Sequence, residues 1–301
     1  MSRVVRIVCY HVARSVVAWR PANAERVAVV AGGARVWVTL ADYWFHGHLY
    51  FDGIHIHQPH VAPLLQRLLR PGDVVLDVGA HLGYYACLAA SRGARVHAFE
   101  PHPELASRLH RSRDLNGFGE RLRVVQQAVA DTDGPGVLFM DLKAADEAGD
   151  SAGSGASILP LPRFGTRTAL DTTFLRLDTY CRRRDVGSIR LLLIDAQGAE
   201  PRVLADAQRL LAEVRPAAVI CVVSGLPGAS SPSEVLGLLR TAGYVPYEIV
   251  AGGLVPFNSE DTVDPTTPWR IRDVCFLRAE DRDTPLALAA PTAAPLRAPV
   301  R

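Results

Sequence analysis

Short β-branched runs alternate with amphipathic helical runs from Asp73 onward, and nothing else in the chain restricts the fold as much. Strands are expected at "DVVLDVG", "RVHAFE", "LRVVQQAV", "IRLLLID" and "AAVICVV". Between them "HLGYYACLAASR", "PELASRLHRSRDLNG", "AEPRVLADAQRLLAEV" and "SPSEVLGLLRTAG" carry apolar residues at helical spacing, the last two closing near Pro216 and Gly243. Such alternation builds βαβ units around a mostly parallel sheet, because parallel neighbours need a crossover and the crossover is a helix. "YVPYEIV" and "IRDVCFLRA" follow without a helix between them, so they finish the sheet as an antiparallel pair, giving seven strands. The methyl-bearing core this requires is available: 49% of the 301 residues are hydrophobic and 21% charged, an ordinary globular balance.

Residues 71–280 form the main domain in this reading. Before it, residues 1–70 hold an N-terminal amphipathic helix at Val5, Val8, Cys9, Val12 and Val16, a β-hairpin and a lead-in helix. After it, residues 281–301 are Pro- and Ala-rich and expected to be a disordered tail. Asp141 to Pro160 is rich in Gly, Ser and Ala, the composition of a long loop that closes over a site. Five cysteines, an odd number without a CxxC pair, fit reduced buried thiols and a cytoplasmic chain. Lys143 is the single lysine among 33 basic residues, yet 31 acids are interspersed and the net charge is +2, so no nucleic-acid footprint is expected. The N-terminal helix is interrupted by arginines and is expected to pack on the body or on a second copy, without stable membrane insertion.

A cofactor signal stands at the first strand. "VVLDVGAHLGYYACLAA" places Asp77, Gly79 and Gly83 where a strand turns into a helix, and a glycine there lets backbone come close to a ligand. Glu100, 21 residues past Gly79, ends the next strand, where a carboxylate can accept hydrogen bonds from both hydroxyls of a ribose. The loop holds two glycines, not the three of a dinucleotide fingerprint, which disfavours a pyrophosphate. An acid before the first glycine suits a cofactor with an amino-acid end and no phosphate, namely S-adenosylmethionine. The competing reading is a tight turn with no ligand.

The order and spacing of "DVVLDVGAHLGYYACLAA", "VHAFEPHPELASRLHRSRDLNG", "VVQQAVADTDG", "TTFLRLDTY" and "LLLIDAQGAEPRVLADAQRLL" resembles the FkbM-type methyltransferases over roughly Pro71 to Tyr247. The resemblance implies a Rossmann-like class I methyltransferase fold, S-adenosylmethionine as cofactor and O-methylation of a natural product or sugar, as in secondary metabolism. It places Asp77, Gly79 and Gly83 around the methionine end, Glu100 at the ribose, Gln127 and Ala128 at the adenine, and Asp195 at the reactive centre. His81, Leu193 and Gln197 stand where the family commonly has Asn, Lys and Glu; the last two changes remove opposite charges together. On this basis His81 lies at a helix N-terminus beside the cofactor, where the positive end of the helix keeps an imidazole neutral. Asp195 and His81 are the candidate catalytic bases. A lapsed scaffold that keeps the fold and binds a partner is the alternative that Leu193 and Gln197 raise.

"FHGHLYFDGIHIHQPH" holds five of the ten histidines. Two alternating runs flank Asp52-Gly53, a strong hairpin signal, and a two-residue turn would set His48 opposite His57. His46, His48, Tyr50, His55 and His57 would then share one face, with Leu49, Phe51, Ile54 and Ile56 on the other. His48, His55 and His57 are the acceptor-side candidates. A solvated face and a metal site remain alternatives, but no acid is placed to support bound metal, so none is assigned.

Overall fold

A computed structural model describes residues 25–39, 46–55, 58–141, 156–160, 167–224, 232–257 and 271–281. The expected N-terminal helix, His57, most of the loop from Asp141 to Pro160 and all but the first residue of the tail lie outside these residues.

The described residues start with a hairpin, β1 (Glu25–Val29) and β2 (Arg35–Thr39), paired antiparallel with Val27 opposite Trp37. Helices α1 (His46–Asp52) and α2 (Val61–Leu68) lead into β3 (Val74–Val78), α3 (Tyr84–Ser91), β4 (Arg95–Phe99), α4 (Pro103–Leu115) and β5 (Leu122–Val125). Then come β6 (Ala128–Val129), β7 (Gly134–Asp141), β8 (Arg167–Leu175), α5 (Leu177–Arg183), β9 (Leu191–Ile194) and α6 (Glu200–Asp206). The last elements are β10 (Ala218–Ser224), α7 (Pro232–Thr241), β11 (Tyr244–Val250), β12 (Gly253–Pro256) and β13 (Ile271–Arg278).

The main sheet has the order β12-β11-β13-β10-β9-β3-β4-β5. β10, β9, β3, β4 and β5 are parallel, and β13 enters antiparallel between β10 and β11. The expected α/β architecture and its final antiparallel pair are therefore present. The eighth strand, β12, is short and, among the described residues, pairs only with β11. The sheet is covered on both faces: along β9, Leu191 and Leu193 enter one core and Leu192 and Ile194 the other. Two-sided burial is why these strands read as unbroken apolar runs and not as alternating ones.

Three expectations are corrected. "LRVVQQAV" is two strands, because the chain leaves the main sheet at Gln126-Gln127 and pairs again, through β6, in a separate β6-β8-β7 sheet. The long helix expected from Ala199 to Val214 breaks after Asp206 and resumes as a wider helical turn at Leu210–Val214. The third correction falls on the histidine-rich stretch: His46–Asp52 is helical, and Gly53, its φ at 65°, ends the helix with its N–H on Leu49 O at 3.1 Å. Spacing by four, not by two, explains the contacts. Leu49 is 0% exposed against the β1–β2 hairpin, whereas Phe51 (52%) and Ile54 (45%) face outward. The N-terminal region does contain a hairpin, but at "ERVAVVAGGARVWVT". Its β2 is fastened to α4 by Trp37 N–H to Ser112 Oγ (2.9 Å) and by Asn116, which accepts from Arg35 N–H (2.8 Å).

Candidate active site

The carboxyl ends of β3, β4, β9 and β10 meet at one edge of the sheet, and a switch in strand order there opens a crevice. Register sets the level of each side chain. Val78 pairs with Ile194, so Gly79 and Asp195 stand side by side one residue beyond the strands. Gly79 has a φ of 80°, and a Cβ there would lie 2.0 Å from Asp195 O. Glycine at this position thus serves strand-to-strand approach as well as the turn. Gly83, at φ 85°, faces α4: its Cβ would lie 2.0 Å from Leu109 Cδ1.

The loop between them is held by its own backbone. Gly79 and Ala80 N–H both donate to Phe99 O at 3.0 Å, and His81 N–H donates to Glu100 Oε2 at 2.8 Å. Glu100 Oε1 accepts from His102 N–H at 2.8 Å, and Gly83 N–H is taken by Ala80 O. These amides are the ones a phosphate cradle would need, and they are spent inside the protein. Each Glu100 oxygen keeps a second lone pair, so it can still receive a hydroxyl. His81 differs from expectation: α3 begins at Tyr84 with Gly83 before it, and His81 sits outside the helix with φ at 52°. The helix end therefore does not set the state of its ring, and its backbone N–H goes to the Glu100 carboxylate.

Asp77, in β3, is 1% exposed, and neither carboxylate oxygen has a hydrogen-bond partner. Burial, then the charges of Asp195 and Glu100, raise it from 3.8 to about 7; the Ala86 amide offsets this slightly from outside hydrogen-bond geometry. Burial likewise raises Glu100 to about 7, against the two amides that lower it. Asp195 is oriented from both sides: Gln197 Nε2 donates to Oδ1 at 3.0 Å and Gln58 Nε2 to Oδ2 at 3.2 Å. The turn after it is shaped by Glu200, buried and raised to about 7, whose Oε1 accepts from Ala196 and Gly198 N–H, both at 3.0 Å. Leu193, where a lysine is common in the family, is an ordinary core residue at 5% exposure.

Three residues that sequence reasoning missed complete the cluster. Gln58 accepts from Tyr85 Oη at 2.9 Å through Oε1, donates to Asp195 at 3.2 Å and faces Asp273. Asp273, opposite Val222 in β13, is raised to about 7 by burial and then by Asp195, with Gln58 pulling it down. Tyr85 is held far above its ordinary value, by burial first. The available signals were weak: a glutamine before Pro59, which favours an extended residue, and a lone acid inside an apolar strand.

Of the acceptor-side histidines, His55 reaches this cluster and His48 does not. His55 stacks on Tyr85 (centroids 5.3 Å apart, planes at 20°) and meets Tyr84 edge-on at 5.5 Å. His48 Nδ1 bonds Asp52 Oδ2 at 2.9 Å within α1. Among the described residues no set of three or more His, Cys, Asp or Glu is arranged to hold a metal ion, and no helix is long and apolar enough to cross a membrane. Gln127 and Ala128 lie at the break after β5. A cavity of about 230 Å³ beside them is lined by Gln127, Tyr180, Arg123, Arg183 and Arg184. The far end of the Asp141–Pro160 loop returns to the site, where Ser157 Oγ donates to Gln197 O at 3.0 Å.

Residues 77–246 match the methyltransferase FkbM domain. The chain is 33% identical over 202 residues to the 31-O-demethyl-FK506 methyltransferase FkbM of Streptomyces tacrolimicus, covering 58% of this chain and 74% of that one. It is 30% identical over 161 residues to the 2-O-methyltransferase NoeI of Sinorhizobium fredii, covering 50% and 64%. A shorter stretch of 74 residues is 42% identical to a protein-L-isoaspartate O-methyltransferase of Methylorubrum populi, covering 24% and 35%. Overlay on the FkbM methyltransferase structure from Methylobacillus flagellatus is loose, with a TM-score of 0.39 at 12% identity over 71% of this chain and 49% of that one. With more than half of its length inside the matched domain, the chain belongs to the FkbM family of S-adenosylmethionine-dependent methyltransferases.

Proposed function

We propose that this methyltransferase acts on oxygen, moving the methyl group of S-adenosylmethionine to a hydroxyl of a small-molecule natural product or sugar. The observation that carries the reading is the sealed Asp77 carboxylate, without a hydrogen-bond partner, grouped with Glu100 and Asp195 at the mouth of the strands. No cation is among the groups that act on Asp77, Glu100 or Asp273. Such a field suits a ligand bearing a sulfonium and an ammonium, and it repels phosphates.

In this reading Asp77 and the Gly79–Gly83 turn hold the methionine end. Glu100 receives the ribose hydroxyls on its free lone pairs, and Gln127 and Ala128 edge the adenine. When bound, the cofactor supplies an electrophilic methyl carbon on sulfur. The protein's own work is then positioning, exclusion of water and handling one proton. Asp195, fixed by two glutamine amides, faces the reacting atoms. Tyr84, Tyr85 and His55 form an aromatic wall beside it. Oxygen is favoured over planar nitrogen because Ala196-Gln197-Gly198 follows Asp195, not the Pro-Pro-Tyr run that grips exocyclic amines. The relatives, each an O-methyltransferase or a methyltransferase of an O-demethyl compound by name, point the same way.

The test has two arms. Titration calorimetry with S-adenosylhomocysteine should show one site, abolished by Gly79→Arg. Methyl-labelled cofactor should then pass label to hydroxylated macrolactones or oligosaccharides. Absence of binding sinks the cofactor-site assignment. Binding with no transfer to any hydroxyl acceptor, and label instead entering amines, replaces the oxygen reading.

A further inference from the structure

We propose that Asp273 is a catalytic residue, its Oδ1 accepting the proton of the acceptor hydroxyl during methyl transfer. This rests on the reading of the chain as an O-methyltransferase. The position was invisible to the family match, which ends at residue 246. Gln58, which faces it, lies before the match begins.

Asp195, the expected base, already takes one amide hydrogen on each oxygen, from Gln58 at 3.2 Å and Gln197 at 3.0 Å, which leaves a single lone pair on each. Asp273 faces Gln58, and its Oδ1 is buried with no hydrogen-bond partner, so both lone pairs of that oxygen are open. A buried carboxylate oxygen left unsatisfied is costly, and an incoming hydroxyl would satisfy it. The register puts it within reach: Cys221 pairs with Ile194 and Val222 with Asp273, so Asp195 and Asp273 end at one level, two strands apart. That is about 10 Å between backbones, and the Gln58 amide donates to Asp195 while favouring the ionised form of Asp273. Its carbonyl is fixed in turn by Tyr85 Oη, so the amide cannot rotate without losing a bond.

The step balances. A lone pair of the acceptor oxygen forms the new C–O bond as the C–S bond of the sulfonium breaks, its electrons going to sulfur. The hydroxyl proton passes to Asp273, and from there to solvent. No metal and no further reactant is required. Asp195 and Gln58 are positioning residues in this scheme. The titratable groups facing Asp273 are Asp195 from the end of β9, Tyr85 from α3 and Cys221 from β10. Burial first, and then the charge of Asp195, leave Asp273 poised near neutrality, where a general base is most effective.

The experiment pairs kinetics with a readout that needs no acceptor. Carboxyl ¹³C NMR of the aspartate-labelled full chain, with Asp273→Asn used to assign the signal, should show Asp273 titrating near 7. With an acceptor that the wild type methylates, Asp273→Asn should lower kcat at least 100-fold. It should also erase the limb of the pH–rate profile near pH 7 and leave S-adenosylhomocysteine affinity within about twofold. Asp273→Glu should restore part of kcat. Retention of kcat and of the limb in Asp273→Asn overturns the proposal, as does an Asp273 signal titrating near 4. Loss of cofactor binding in step with activity also overturns it, since that marks a structural role. Failure of the wild type to methylate any hydroxyl overturns the O-methyltransferase reading instead, and is seen before any variant is made.

Discussion

On the cofactor side of the crevice, Gly79, Ala80 and His81 are fastened by backbone amides to Phe99 O and the Glu100 carboxylate; on the acceptor side, Gln58 is fastened by the side chains of Tyr85 and Asp195 and faces Asp273. The first geometry follows from local chain conformation once β3 and β4 are paired. The second exists only after elements far apart in sequence, α3, β9 and β13, have assembled. One wall can therefore be kept across a family by a short motif, and the other can be rebuilt for a new acceptor by changing single side chains.

The largest expected effect breaks the backbone-built wall. Gly79→Ala puts a Cβ 2.0 Å from Asp195 O at a φ of 80°, so both the left-handed turn and the β3–β9 approach suffer. Urea unfolding should show a loss of about 3 kcal/mol or more, with S-adenosylhomocysteine binding lost. A stable variant that binds normally would mean the wall tolerates movement and is not the rigid half of the site.

The same contrast explains what could be read from the sequence. The order β3, α3, β4, α4 and the Asp77-Gly79-Gly83-Glu100 set are encoded by periods and a turn that act within about 30 residues. At His46–Asp52 two local patterns compete, period two around Asp-Gly and period four through Leu49. The β1–β2 hairpin decides between them by offering a surface to bury Leu49 alone. That surface was itself unread, although "VAVVAGGARVWV" alternates about a glycine pair. Gln58 and Asp273 carry no periodic signal at all; only the assembled sheet edge gives them a role.

Leu49 and Phe51 turn that competition into a measurement. As a helix, the segment buries Leu49 fully and exposes Phe51 by half, so Leu49→Ala should cost about 3 kcal/mol and Phe51→Ala less than about 1 kcal/mol. A hairpin would place both residues on one face and make the two costs comparable.

Protonation separates the walls further. Burial raises Asp77 and Asp273 from 3.8 and Glu100 from 4.5, each to about 7, and the charge of Asp195 adds to the rise at Asp77 and Asp273. Between about pH 4 and pH 7 the folded chain thus holds more protons than the unfolded one, and these groups' contribution to stability falls as pH rises through that window. A bound cation favours the ionised forms, so the carboxylates should release protons when S-adenosylmethionine binds. Its affinity should tighten roughly tenfold from pH 5.5 to 8, while that of uncharged-sulfur S-adenosylhomocysteine changes less than about threefold. Calorimetry in buffers of differing ionisation enthalpy measures both. Equal pH dependence for the two ligands would place the acids away from the sulfonium.

The smallest expected effect concerns the histidine that the cluster left out. His48 and Asp52 are one helical turn apart with Nδ1 and Oδ2 at 2.9 Å, on an exposed stretch of α1. Such a pair couples by about 0.3–0.5 kcal/mol. Each single substitution is a poor probe, because alanine at position 48 gains helix propensity and loss of the charge at 52 relieves the negative end of the helix dipole. A double-mutant cycle with His48→Ala and Asp52→Asn cancels both contributions and isolates the pair. The two positions would have no mutual contact in a hairpin, where His48 faces His57 instead. A coupling between His48 and Asp52 is therefore the signature of the helix. Its absence would return the histidine row to the acceptor wall and move His55 from its place against Tyr85.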